Sequence, residues 1–155
     1  MVLCLLAAAL LRIPGLEQTP PGLHYDEAAN VVLAREIGLQ GERPIFISSY
    51  TGKEVLFFYL AGAMMRIAGP SAFALRLTAA FVGLLTVAAT YTLGRALLAD
   101  RRLAVLAAAL LAISFWHLVF SRLGFRAIGQ PLLQALAVLA LFRGLRQPHW
   151  RWFVL

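Results

Sequence analysis

The sequence predicts an all-α membrane protein, with polytopic transmembrane helices and interfacial helices in its first outer loop. Three observations carry this prediction. First, 61% of the 155 residues are hydrophobic and only 14% are charged. Soluble domains are about half apolar and about a quarter charged. One small core cannot hide so much apolar surface, which rules out a soluble globular domain. Second, uncharged runs occupy residues 1–11, 55–65, 77–94, 103–120 and 127–142. Third, thirteen arginines and one lysine stand singly between these runs and give a net charge of +7. No basic stretch interleaved with stacking aromatics occurs, so the charge reads as membrane topology and lipid-phosphate contact, not as a nucleic-acid footprint. The single cysteine, Cys4, excludes a disulfide scaffold.

A bilayer core of about 30 Å needs roughly 20 helical residues. The runs at 77–94 and 103–120 reach that length with their flanks, and the run at 127–142 reaches it if Arg143 snorkels outward. The first run is short and reads as a span that continues N-terminally, since no basic region precedes it as a signal peptide requires. Spans are therefore expected near 1–13, 71–97, 102–121 and 127–145, with a fifth starting near 150. The chain reads as the N-terminal part of a longer polytopic protein. The run at 55–65, bracketed by Glu54 and Arg66, is about a third short of a span even when extended to Ala68. If 55–68 crossed the membrane, Arg95, Arg101, Arg102, Arg143, Arg146 and Arg151 would lie outside. If it lies in the outer interface, all six face the cytoplasm, as the positive-inside rule prefers. Residues 14–70 then form a first outer loop and Ser121–Ala127 a second, with the chain in the plasma membrane.

The first outer loop holds most of the candidate chemistry. Pro14-Gly15 ends the first helix, and Thr19-Pro20-Pro21-Gly22 forms an extended turn. Asp26 is placed to start a helix that runs to about Ile37 and stops at Gly38. Ala29, Val32, Leu33 and Ile37 share a face, which predicts a helix lying along the membrane surface. Asp26 and Glu27 have a structural reading, as a cap and a first-turn acid matched to the helix dipole. They also have a functional one, in which a carboxylate just outside the membrane serves as a general base. Adjacent residues project roughly 100° apart, so one of the two faces a given site. Farther on, Ser49-Tyr50-Thr51-Gly52-Lys53-Glu54 contains the only lysine. It is either a snorkelling cation or a grip on a lipid phosphate.

The Asp26-Glu27 pair, the stretch Tyr50–Leu60, Gly69–Leu77 and Ser121–Arg126 resemble, in order and spacing, the start of the GT-C superfamily of membrane glycosyltransferases. The similarity is nearest to the protein O-mannosyltransferases and the lipid A aminoarabinose transferases, and it runs from about Leu23 to Phe142. It implies an inverting transferase that takes a sugar from a polyprenyl-phosphate donor at the outer face. Asp26, with Glu27 beside it, would supply the catalytic carboxylate, and Lys53 would contact the donor phosphate. Arg122 and Arg126 would be phosphate or acceptor contacts, with His24, Tyr50 and Glu54 as accessory groups. Many family members carry a second acid in the next short outer loop. Here Ser121–Gln130 has none, which argues against a two-carboxylate site and leaves Gln130 as a polar substitute.

No metal site is expected, because no histidine pair has ligand spacing and one cysteine makes no thiolate site. No cofactor is predicted, although the resemblance leaves a divalent ion open. His117, beside Trp116, reads as part of an aromatic belt. Arg76 either pairs with an acid or snorkels. The alternative to an enzyme is a transporter or other non-catalytic membrane protein. That reading expects internal repeats and midplane ionisable groups, and the sequence shows no repeat.

Overall fold

The computed structural model describes residues 1–49, 52–98 and 100–146. Tyr50 and the expected span near 150 lie outside the described residues. Seven α-helices are present among the described residues: α1 (Val2–Arg12), α2 (Tyr25–Arg35), α3 (Leu56–Ala68), α4 (Ala72–Leu97), α5 (Arg101–Ile113), α6 (Phe115–Arg122) and α7 (Gly129–Arg146). A π-turn, Glu36–Gln40, extends α2, and a 3₁₀ turn, Arg126–Ile128, precedes α7. The nearest thing to a strand among the described residues is an antiparallel bridge between Ile47 and Lys53.

Helix α4 is the axis of the fold. Its 26 residues make a rod about 39 Å long. It is apolar almost all round, packing on other helices while Phe81 and Leu85 stay exposed on its open side. Ser71 caps it, its hydroxyl accepting from the Ala74 N–H. Gly94 packs on Ala104 and Gly83 on Ser121, so α5 and α6 return antiparallel to α4. Ala8 meets Val87, Ala108 and Ala112, so α1 is antiparallel to α4 as well. Helix α7 runs parallel to α4 and leaves much of one side open. A second cluster joins Leu33, Ala34 and Ile37 to Phe58, Ala61 and Met65 of α3 and to Ala74, Leu75 and Ala79 of α4.

Two helices are long and apolar enough to cross a membrane, Ala72–Leu97 and Arg126–Arg146. The expected continuous span at 102–121 is instead a pair, α5 and α6, bent by 57° at Ser114. Ser114 leaves helical geometry (φ −58°, ψ +124°) and serves as the end of one helix and the start of the next. The bend turns His117 and Ser121 inward, and Gly83, lacking a Cβ, leaves room for Ser121. Helix α1 has 11 residues and α3 has 13, both below a full crossing.

Helix α2 differs from expectation at both ends and around its girth. His24 caps it, not Asp26: the His24 Nδ1 accepts the Asp26 backbone N–H at 3.4 Å. The helical path continues through Gly38 to Gly41, whose φ of +81° ends it. Gly38 is needed for another reason. A Cβ there would lie 2.5 Å from the Gly62 carbonyl oxygen, and one on Gly62 would lie 2.9 Å from the Ala34 carbonyl oxygen. The buried face is Glu27, Ala29, Asn30, Leu33 and Ala34, continuing to Ile37, whereas Val32 is 46% exposed. Two polar residues replace part of the expected apolar stripe because they have polar partners inside.

The backbone contact between the π-turn and α3 makes a direct prediction. Gly62→Val should destabilise the purified protein by about 1–3 kcal/mol, because neither facing backbone can move aside. Gly129→Ala, at a position with nothing within 4 Å, should stay within about 0.5 kcal/mol. Unfolding in detergent, followed by circular dichroism, compares the two.

Candidate active site at the loop end of the bundle

The loops before α2, before α3 and before α7 meet at one end of α4. Arg76, in the first turns of α4, organises that meeting. Its Nε donates to Glu27 Oε1 at 2.6 Å and its Nη2 to Glu27 Oε2 at 2.9 Å, a bidentate pair. Its remaining N–H groups reach the carbonyls of Leu16 (2.9 Å), Pro20 (3.0 Å) and Gly22 (2.6 Å). All five guanidinium donors are therefore satisfied. Glu27 is fully buried and Arg76 nearly so.

The same face of α2 clamps the second loop. Glu27 Oε1 accepts the Gly124 N–H at 3.2 Å, and Asn30 Nδ2 donates to the Gly124 carbonyl at 2.8 Å. Residues 27 and 30 can do this together because i and i+3 share a helix face. Gly124 packs closely here: a Cβ would stand 2.3 Å from Leu75 Cδ2, so the buried Leu75 side chain would have to shift. Asn30 then turns its other atom to the lysine: Lys53 Nζ donates to Asn30 Oδ1 at 3.0 Å. Lys53 is held in register by the two backbone hydrogen bonds of its bridge to Ile47.

The adjacent carboxylates of α2 thus have opposite environments. Glu27 faces inward and is fully engaged. The Asp26 side chain is 47% exposed, with His24 Nδ1 3.9 Å away. Expected as a candidate catalytic acid, Glu27 presents no surface to a substrate in this arrangement. Expected as a phosphate contact, Arg122 is occupied otherwise. Its Nη1 donates to the carbonyls of Leu11 and Arg12, and its Nη2 to those of Pro14 and Thr19. Two of these carbonyls belong to the last turn of α1, where intrahelical partners run out. Arg126 forms an ion pair with Glu54 at the surface.

Burial lowers the Lys53 pKa and the Arg126 charge lowers it further, while Asp26 and Glu54 only partly restore it. Burial also raises the Glu54 carboxyl, but the Arg126 hydrogen bond, a backbone hydrogen bond and the charges of Arg126 and Lys53 overcome this and hold it below its ordinary range. Lys53, itself buried, therefore lies within electrostatic reach of both Arg126 and the exposed Asp26. A cavity of about 540 Å³ has Glu54 and Arg126 at its polar edge. Phe57, Leu60, Val82, Phe125 and Leu133 form apolar walls. Among the described residues, no group of three or more His, Cys, Asp or Glu side chains could hold a metal ion.

Residues 53–155, two-thirds of the chain, match the family model described as dolichyl-phosphate-mannose-protein mannosyltransferase. The chain belongs to that mannosyltransferase family. No curated protein and no solved structure matches it. Family membership places the chain among integral membrane glycosyltransferases, of the GT-C type that the motifs resemble, and takes the ground from the transporter reading. The mannosyltransferase match begins at Lys53, so Asp26 and Glu27 lie ahead of it and stand on sequence resemblance and geometry.

Sequence reading missed Asn30 altogether and left Arg76 undecided. Nothing in hydropathy marks Asn30, yet its spacing of three from Glu27 was a usable signal. His117, read as a belt residue, is buried instead, with its Nδ1 2.9 Å from Arg12 Nη2. Arg12 also donates to Ser121 Oγ at 3.3 Å and to the Ala8 carbonyl at 3.0 Å.

Glu27→Ala should cost about 3–5 kcal/mol, because it leaves Arg76 charged, buried and without its counter-ion. Asp26→Ala, in the next position of the same helix turn, should cost about 1 kcal/mol or less. Denaturant unfolding of the two purified variants measures the gap. Equal stabilities would contradict the assigned role of the buried pair.

Proposed function

We propose that this chain carries the reaction centre of a transferase that moves a sugar from a polyprenyl-phosphate donor to an acceptor at the outer face of the membrane. The observation that carries the reading is the split of the acidic pair. Glu27 is locked into the framework by Arg76, and this leaves Asp26 exposed within electrostatic reach of Lys53, whose neighbour Glu54 pairs with Arg126 at the edge of an apolar cavity.

Asp26 is the general base. It takes the proton from the acceptor's nucleophilic group as that group attacks the anomeric carbon of the sugar. The bond from that carbon to the phosphate oxygen breaks, its electron pair stays on the phosphate, and attack from the opposite side inverts the centre. Negative charge grows on the leaving phosphate, where Lys53 and Arg126 stand to compensate it. A lysine whose pKa burial has lowered gains most from an arriving anion, since the anion offsets the penalty on its charged form. Glu54 keeps Arg126 at the cavity edge, His24 lies beside Asp26, and Glu27 acts as a positioning residue. Arg122 belongs to the framework. The apolar walls suit the first isoprene units of a carrier that itself resides in the bilayer.

The outer-face orientation rests on charge. Arg95, Arg101, Arg102, Arg143 and Arg146 all gather at the end of the bundle opposite Asp26, in the helix termini and turn where α4, α5 and α7 meet. The positive-inside rule assigns that end to the cytoplasm. In a Cys4→Ala background, Gln18→Cys should react with an impermeant thiol reagent on intact cells and Arg101→Cys should not. The reverse pattern would invert the orientation.

Asp26→Asn tests the base directly. Asn is nearly isosteric and His24 supplies the cap, so folding should be unaffected. Sugar transfer from a polyprenyl-phosphate donor by the intact protein should fall about a hundredfold to ten-thousandfold. Wild-type turnover in this variant would remove Asp26 from the chemistry.

A further inference from the structure

A second cavity lies at the opposite end of the bundle, about as large as the first. It occupies about 540 Å³ between the C-terminal ends of α4 and α7 and is lined by Tyr91, Thr92, Arg95, Phe142, Arg143 and Arg146. We propose that this cleft binds the phosphate headgroup of an anionic phospholipid from the arginine-rich leaflet.

Three arguments support it. The first is charge. Arg95 comes from one helix and Arg143 and Arg146 from another, and no Asp or Glu is among the described residues lining the cleft. Arginines that merely snorkel, or that complement the negative ends of helix dipoles, would be as well served pointing apart into water. Here Arg95 and Arg146 border one concavity, where an anion relieves their mutual repulsion. The second is geometry. The Arg146 guanidinium carbon lies 4.4 Å from the Phe142 ring centroid. A guanidinium held against a ring keeps its N–H edge for two oxygens of a phosphate, which an ammonium cannot match. The third is depth. The cleft sits at the ends of the two helices long enough to cross a membrane. Leu141 and Leu145 are exposed on α7 beside it, and Leu97 on α4. These surfaces suit acyl chains descending from a headgroup at the level of the arginines, which a soluble anion would not use. Basic pockets between helices on the cytoplasmic side are where such headgroups bind.

The proposal does not depend on the transferase reading, because both the residues and the end of the bundle differ. The test uses the intact protein, delipidated in detergent and then exposed to phosphatidylcholine vesicles containing about one-fifth phosphatidylglycerol. Native mass spectrometry counts the phosphatidylglycerol retained. Wild type should retain it, Arg95→Gln/Arg146→Gln should retain about tenfold less, and Arg95→Lys/Arg146→Lys should fall between them. Should the double Gln variant not fold, single Arg146→Gln gives the same reading with a smaller loss. Equal retention by wild type and a Gln variant would overturn the site. Inorganic phosphate at millimolar concentration stripping the lipid from wild type would overturn the lipid assignment in favour of a soluble anion.

Discussion

A buried guanidinium–carboxylate pair, Arg76 with Glu27, is the constraint on which the loop end of this protein depends. A single charge in such surroundings would cost several kcal/mol, and removing one partner exposes the other to that cost. The pair is tolerable because it is complete. Every Arg76 donor has an acceptor, and Glu27 takes one more hydrogen bond from Gly124. The carbonyls that Arg76 collects belong to the irregular segment before α2, so one side chain fixes the end of α4, the course of residues 16–22 and the first turn of α2. Once Glu27 is directed inward, helical geometry directs Asp26 away from it. The exposed acid is a consequence of the buried one.

The same device recurs. Arg122 collects four carbonyls around the end of α1, and Arg12 reaches Ala8, Ser121 and His117. Irregular backbone near a membrane boundary cannot count on water for its carbonyls, and a planar five-donor group satisfies several at once. This accounts for the preference for arginine over lysine inside the fold. The one lysine is also buried, and its Nζ donates to Asn30 Oδ1. In the Arg12 cluster, the Nε2 of His117 is buried without a hydrogen-bond partner among the described residues.

These fixed points divide the molecule into two ends. At one end, the Arg126–Glu54 pair borders an apolar cavity, with Lys53 and Asp26 close by. At the other, arginines from two parallel helices border a second one. A substrate that lives in the bilayer has to present its polar head at one boundary, and each end of α4 offers a boundary suited to an anion. Helix α4 connects them as a rod, and its small residues, Gly83 and Gly94, allow α6 and α5 to close against it.

Hydropathy alone determined the class of the protein, the long helices at 72–97 and 129–146 and the shortness of 55–68. Burial of apolar surface in lipid depends on composition and run length, and both can be read along a line. The motifs around Asp26, Lys53 and Arg126 are likewise local in sequence, and the fold brings their loops to one end of α4. The choice between Asp26 and Glu27, the inward turn of Asn30, the engagement of Arg122 and the break at Ser114 were decided only by tertiary structure. The first three depend on partners 49 to 110 residues away: Arg76 with Glu27, Asn30 with Gly124, and Arg122 with Arg12. Which of two neighbouring carboxylates is buried is settled by where the opposing cation arrives, and no pattern local to the pair carries that information.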